Sequence, residues 1–244
     1  MENIKIDYLT VRDMFDRDEQ EIRKFMNSIV NKEIKAKLCD EERQYYAEAF
    51  GCKKEEVFVG DITKQNCPEP FPYKYVVGNV DVTGLCVDMS KLRYVGGNLN
   101  SNKVHHFNNL EVVCGTANFD HSKGLVIPKL RKVSNLSAMD CFIVDLKVKE
   151  IPGKLILSQS TVLNFCVKNV AGWTSLYCSN IEDISSLVSC HSLDVTDTAG
   201  RIKKVNPNLT IKDKLYAERS GNFEDKLDLS KKKGWWYTDN PKII

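Results

Sequence analysis

The sequence predicts a parallel β-solenoid with a helical N-terminal cap, and three observations carry that prediction. Apolar residues recur with a period near nineteen between Tyr73 and Ile211. Glycine or asparagine returns at one fixed place in most of the copies. The 244 residues are 42% hydrophobic and 28% charged, a globular balance that excludes wholesale disorder and collagen-like repetition.

The N-terminal part reads as helical. Across residues 18–32 the apolar side chains are Ile22, Phe25, Met26, Ile29 and Val30, the spacing of one stripe on an amphipathic helix. Thr10 and Asp13 precede it in an arrangement like a helix-start box. A second helix is expected over residues 40–50, stopped at Gly51. Val57, Phe58 and Val59 then read as a short strand, and residues 66–72, with three prolines, as a rigid non-helical connector. Residues 1–72 are therefore assigned as cap and connector.

The repeat follows. With Tyr73 as position zero, position three is Val76, position five Gly78, position seven Val80 and position nine Val82. Further copies start at Leu92, Leu110, Leu130, Val148, Val167, Leu187 and Ile202. Position three is then Val95, Val113, Val133, Ile151, Val170, Cys190 and Val205. Five of the eight copies have Gly at position five, and Asn135 stands there in a sixth. In the Leu187 copy, Leu193 and Val195 arrive one residue early.

One chain turn per copy accounts for this pattern. Positions zero and three face inward, and Gly or Asn turns a corner with positive φ, notably at Gly97 and Gly172. Positions seven and nine lie on a short strand and point to the core, which places Leu155, Leu157, Leu176 and Leu209 inside. A single coil cannot cover its own apolar interior, so coils must stack into a parallel sheet. Eight of them, at about 4.7–4.9 Å each, span roughly 40 Å.

The run Leu92-Arg93-Tyr94-Val95-Gly96-Gly97-Asn98-Leu99 resembles the L-x-x-V-G-G-x-L-x-L unit of short leucine-rich-type repeat proteins, common in bacterial and phage genomes. The resemblance covers residues 73–213. It implies a leucine-rich-repeat-like solenoid whose extended surface binds other molecules. The chain departs from the standard unit at position twelve, where Leu85, Val104, Ser122 and Phe142 stand and no asparagine ladder forms.

Enzyme signatures are absent: no GxxxxGK[ST], no GxGxxG opening a helix, no HExxH and no GxSxG. His121 lies near Cys114 and Asp120, but the spacings match no zinc pattern, so neither metal nor cofactor is expected. The nine cysteines are spread singly and read as reduced thiols. Cys141 and Cys178 fall two coils apart, about 10 Å, which is too far for a disulfide. The N-terminus has no apolar signal core, and no run approaches the roughly 20 apolar residues of a membrane span. The expected location is the cytoplasm.

Charge is unevenly placed. Residues 1–60 carry 11 basic and 14 acidic side chains, residues 61–200 carry 13 of each, and residues 201–244 carry 11 and 6. The C-terminal region of residues 214–244 is the most suggestive. Lys231, Lys232 and Lys233 precede Trp235, Trp236 and Tyr237, downstream of Arg201, Lys203 and Lys204. Three roles suit these nine residues: covering the last coil, anchoring a protein, or gripping single-stranded nucleic acid by charge and stacking. The expected function is a non-enzymatic interaction module that docks on a larger protein or protein–RNA complex. An inhibitor of a host defence complex, such as an RNA-guided nuclease, is its specific version. A nucleic-acid-binding module is the alternative.

Overall fold

The computed structural model describes residues 32–104, 106–221, 223–227 and 235–237, and the chain divides into two compact units, residues 1–51 and 52–244. The apolar stripe of residues 22–30 and Lys231, Lys232 and Lys233 lie outside the described residues. Among the described residues of the first unit a helix, α1, spans Lys32–Phe50 and ends at Gly51, whose φ of +63° is the left-handed stop expected there. It begins eight residues earlier than the sequence suggests. Asp40 reads as a start signal, yet the Lys, Glu, Ala and Leu residues before it are good helix formers with nothing to break them.

The second unit is a parallel β-solenoid of about eight turns. Position seven forms a continuous column of paired residues: Ile62, Val80, Leu99, Ala117, Leu136, Leu155, Thr174, Leu193, Leu215 and Trp236. Position three forms a second column, from Phe58 through Val76, Val95, Val113 and Val133. Parallel pairing runs past residues 73–213 at both ends, through Val57–Val59 and through Lys214–Tyr216 to Trp235–Tyr237. The opposite wall is thinner. Phe142–Leu146 pairs there with Thr161–Phe165, and Asp183–Ile184 with Lys204–Val205.

Between the walls lies one apolar core. Leu92, Leu110, Leu130, Val148, Val167 and Leu187 at position zero are buried, as are Leu155, Leu157, Leu176 and Leu209. Phe107 and Phe119 fill the widest part, with ring centroids 5.2 Å apart.

Three details of the repeat differ from the sequence reading. First, Val205 pairs with Ile184 on the thin wall, while Ile211 pairs with Cys190. The copy begun at Ile202 therefore mixes two walls, which explains its short spacing. The chain returns to position zero at Leu209, whose N–H bonds to Asn206 O just as that of Leu187 bonds to Ile184 O. Second, a bulge after Val113 shifts the Leu130 copy by one residue, so Leu136 and not Ser137 takes position seven. Asn135 pairs with Thr116 and replaces no glycine.

Third, Gly97 and Gly172 are not left-handed corners, since neither has a positive φ. Their requirement is closeness. A Cβ on Gly97 collides with the Asn79 carboxamide, one on Gly153 with Asn135 and with Ser134 O at 2.8 Å, and one on Gly172 meets Gly153 O at 2.6 Å. The intruding carboxamides form a ladder at position six. Asp61 Oδ1 accepts from Asn79 N, Asn79 Oδ1 from Asn98 N, Asn98 Oδ1 from Thr116 N and Asn135 Oδ1 from Lys154 N, each at 2.8 Å. The left-handed corner lies at position eleven instead. His121, Asp140, Gln159, Cys178 and Asp197 have φ between 52° and 65° and recur every nineteen residues. Each donates its N–H to a carbonyl of the next coil at 2.7–3.1 Å. Cys141, one place beyond Asp140, is out of line with Cys178; both thiols are free.

Gly153→Ala is expected to destabilise by about 2 kcal/mol or more through overpacking. Gly124→Ala, at φ +77° with open space around it, should cost only about 1 kcal/mol. Urea unfolding of both variants checks the order, and a reversed order refutes the close-packing account. Leu155→Ala should cost roughly 2–5 kcal/mol in the same assay.

Candidate interaction surface

The thin wall carries three of the exposed large apolar side chains of the described residues, with Val188 and Tyr177 exposed elsewhere. Phe142, Val144 and Leu163 are 43%, 45% and 56% exposed, while Ile143, Leu146, Val162 and Phe165 between them are buried. Strand alternation produces the first part of this split, with Phe142 out, Ile143 in and Val144 out, and the phase changes at the strand ends, where Leu146 and Phe165 turn inward. Phe142 pairs with Thr161, Ile143 with Val162 and Asp145 with Asn164, so Val144 stands beside Leu163. The bridge between Leu125 and Ile143 sets half-buried Val126 on the other side of Val144.

A column of exposed cations stands just before strands of the main sheet. Arg131, Lys149 and Lys168 are exposed, and each follows a buried corner residue, Leu130, Val148 or Val167. The Lys168 N–H donates to Lys149 O at 2.8 Å, which sets them on adjacent coils. Arg131 lies 3.4 Å from Glu111, whose other oxygen is held by Arg93 at 2.5 Å. The hydrogen bond from Arg93, with the nearby charge of Arg131, keeps the Glu111 carboxyl below its ordinary pKa. Lys147 faces Asp145 at 3.5 Å. No ion pair joins Lys149 or Lys168 to a carboxylate among the described residues.

The residues singled out from the sequence fall elsewhere. Arg201 donates through Nη1 to the carbonyls of Cys178 and Ser179, at 3.3 and 3.2 Å. Lys203 pairs with Glu182 at 2.8 Å and Lys204 with Asp183 at 3.3 Å. Trp235–Tyr237 is a strand aligned with Lys214–Tyr216, Trp236 opposite buried Leu215. The structure thus brings Arg201, Lys203 and Lys204 to one corner with their own partners, and Trp235, Trp236 and Tyr237 to the sheet. Phe142, Val144 and Leu163 were missed because the sequence reading assigns faces only up to position nine of each copy, and these residues lie beyond it. The signal available was that the unbroken run Phe142-Ile143-Val144 cannot hide both faces when the wall is one strand thick.

A second face lies on the main sheet. A shallow depression of about 340 Å³ is lined by Thr116, Asn135, Ser137, Lys154 and Ile156. Beyond it Trp173 and Tyr216 approach with ring centroids 5.3 Å apart.

Burial pushes the Cys141 thiol up to about 11 and the Cys190 thiol up to about 12, so both stay protonated at neutral pH. The His121 ring faces Asp140 at 3.3 Å, and Cys114 Sγ lies 3.3 Å from the Tyr94 hydroxyl. Among the described residues no three His, Cys, Asp or Glu side chains gather as a metal site. No described helix is long and apolar enough to cross a membrane. No family model, no curated protein and no solved structure matches this chain.

Deleting residues 230–244 removes the strand that pairs with Lys214–Tyr216. The truncated protein is expected to melt earlier, whereas Lys231→Ala, Lys232→Ala and Lys233→Ala together should leave the melt unchanged. An unchanged melt on truncation removes the covering role of Trp235–Tyr237.

Proposed function

We propose that this chain is a non-enzymatic protein-interaction module that docks its thin wall on a larger protein. The observation that carries the reading is the exposure of Phe142, Val144 and Leu163 on paired strands whose Ile143 and Val162 are buried in the core. Exposed apolar side chains held in fixed positions suit the anchors of a protein interface. Parallel pairing of Phe142–Leu146 with Thr161–Phe165 means that binding orders little new backbone. The likeness of residues 92–99 to leucine-rich-type repeats supports the same reading, since such repeats share an extended binding surface.

Nucleic-acid binding through the C-terminal region is the second reading. The sequence neighbourhood of Lys231, Lys232 and Lys233 with Trp235, Trp236 and Tyr237 favours it. The ion pairs of Lys203 and Lys204 count against a free basic edge there.

The test uses the full chain as bait in cells that express it, beside a Val144→Asp/Leu163→Asp variant. The intact chain should capture a stoichiometric protein, and the variant should lose it at least about tenfold in affinity with an unchanged melt. Capture of RNA or DNA instead, falling steeply with salt and lost on Lys231–233 replacement, transfers the conclusion to the second reading.

A further inference from the structure

On the main sheet, position seven points into the core, so positions six and eight point outward. Pairing register fixes what stands there on successive coils. Position eight carries Ile156, Ser175, Asp194 and Tyr216, each paired with the next. Position six carries Lys154, Trp173, Ser192 and Lys214, since each directly precedes a paired residue of position seven. The depression lined by Lys154 and Ile156 therefore adjoins Trp173 and Ser175 on the next coil. Trp173 and Tyr216 stand two coils apart, a backbone separation of roughly 9–10 Å. Their ring centroids are only 5.3 Å apart, so the rings lean together over the coil between them. Ser192 and Asp194 occupy that coil. Ser175 and Ser192 face outward and are nevertheless buried, as small side chains beneath larger ones are.

We propose that this face binds a neutral oligosaccharide, laid along the stack from the depression to the Trp173–Tyr216 pair. The site is separate from the thin wall and does not depend on docking there. Aromatic ring faces carry negative charge density, and the C–H face of a pyranose offers weakly positive hydrogens, so the two pack together. The rim of the same sugar carries hydroxyls, each both donor and acceptor. The face supplies both kinds of partner. Lys154 and Lys214 donate, and no ion pair joins either to a carboxylate among the described residues. Asp194 accepts the Thr196 N–H on Oδ1 at 2.9 Å and turns its other oxygen to a ligand. Asp213, beside Lys214, accepts from Ser192 Oγ at 3.3 Å. Interleaved signs select an uncharged ligand, because a polyanion reaching both lysines crosses Asp194 and Asp213. An extended peptide gains no main-chain hydrogen bond here, since the amides of the sheet are satisfied by neighbouring coils. The depression, about 340 Å³, has the size of a small-ligand site of about 300–1,000 Å³. From Thr116 to Tyr216 the face runs roughly 24 Å, room for several linked rings.

The experiment is isothermal titration calorimetry of the full-length chain with cellohexaose, xylohexaose, mannohexaose, laminarihexaose and chitohexaose. At least one should bind with a Kd below about 1 mM, and binding of none overturns the proposal. Trp173→Leu keeps an apolar side chain but removes the ring, and should weaken that sugar at least about tenfold with an unchanged melt. Trp173→Phe should retain most of the affinity, and equal affinity of the two variants overturns the proposal. If Trp173→Leu melts early, Lys154→Ala/Lys214→Ala decides, because exposed lysines contribute little to the melt. Unchanged sugar affinity in that variant overturns the proposal. Val144→Asp/Leu163→Asp should bind the sugar as the unaltered chain does. Loss there with an unchanged melt moves the site to the thin wall and overturns the proposal. A dT oligonucleotide that displaces the sugar and needs Trp173 assigns the face to single-stranded nucleic acid instead.

Discussion

The separation of stacked coils governs this protein. Each coil's strand amides and carbonyls are satisfied by the coils on either side, so the separation is set by the hydrogen bond and cannot relax locally. Residues at equivalent positions are forced into columns at that separation. Where the column carries a carboxamide that bonds across the gap, as Asn79, Asn98 and Asn135 do, the neighbouring backbone has no room for a Cβ. Gly97, Gly115 and Gly153 answer that crowding. Glycine and asparagine are therefore two halves of one device: one supplies the extra hydrogen bond and the other makes space for it.

The same constraint organises the corners. His121, Asp140, Gln159, Cys178 and Asp197 hold a left-handed conformation that ordinary residues disfavour, and each is secured by an N–H bond to the next coil. Just beyond them Ser122, Cys141, Ser160, Ser179 and Thr198 are buried, all small. Ser160 shows why a hydroxyl suits that place: it accepts from Cys141 N at 3.0 Å and donates to the Ala138 carbonyl. A larger side chain would push the coils apart and break the ladder it sits beside.

Columns also turn sequence periodicity into surface chemistry. A residue type repeated about every nineteen positions becomes a stripe, which is how Val126, Val144 and Leu163 come to lie side by side. The main sheet instead presents the shallow depression and the Trp173–Tyr216 pair. Arg201, prominent in the sequence as a basic residue, acts inside the fold by donating to the carbonyls of Cys178 and Ser179. Charge in a sequence marks where a cation is; only its neighbours decide whether it is spent on the fold.

The sequence by itself determined the parallel solenoid and most of its core, because apolar spacing at positions zero, three, seven and nine depends on nothing but the coil's own geometry. Val76, Leu99, Leu155 and Leu176 are legible for that reason. It also marked Gly97 and Gly172 as places intolerant of a side chain, while assigning them the wrong cause. Only the tertiary structure decided that cause, because the collision is with a residue one coil away and about nineteen positions distant in sequence. The bulge after Val113 and the return to position zero at Leu209 were likewise hidden, since a one-residue slip leaves local hydrophobicity almost unchanged while exchanging the faces. The candidate surface was the least legible part. Whether Val144 and Leu163 are core or surface depends on what covers their side of the wall, and that is a property of the stack.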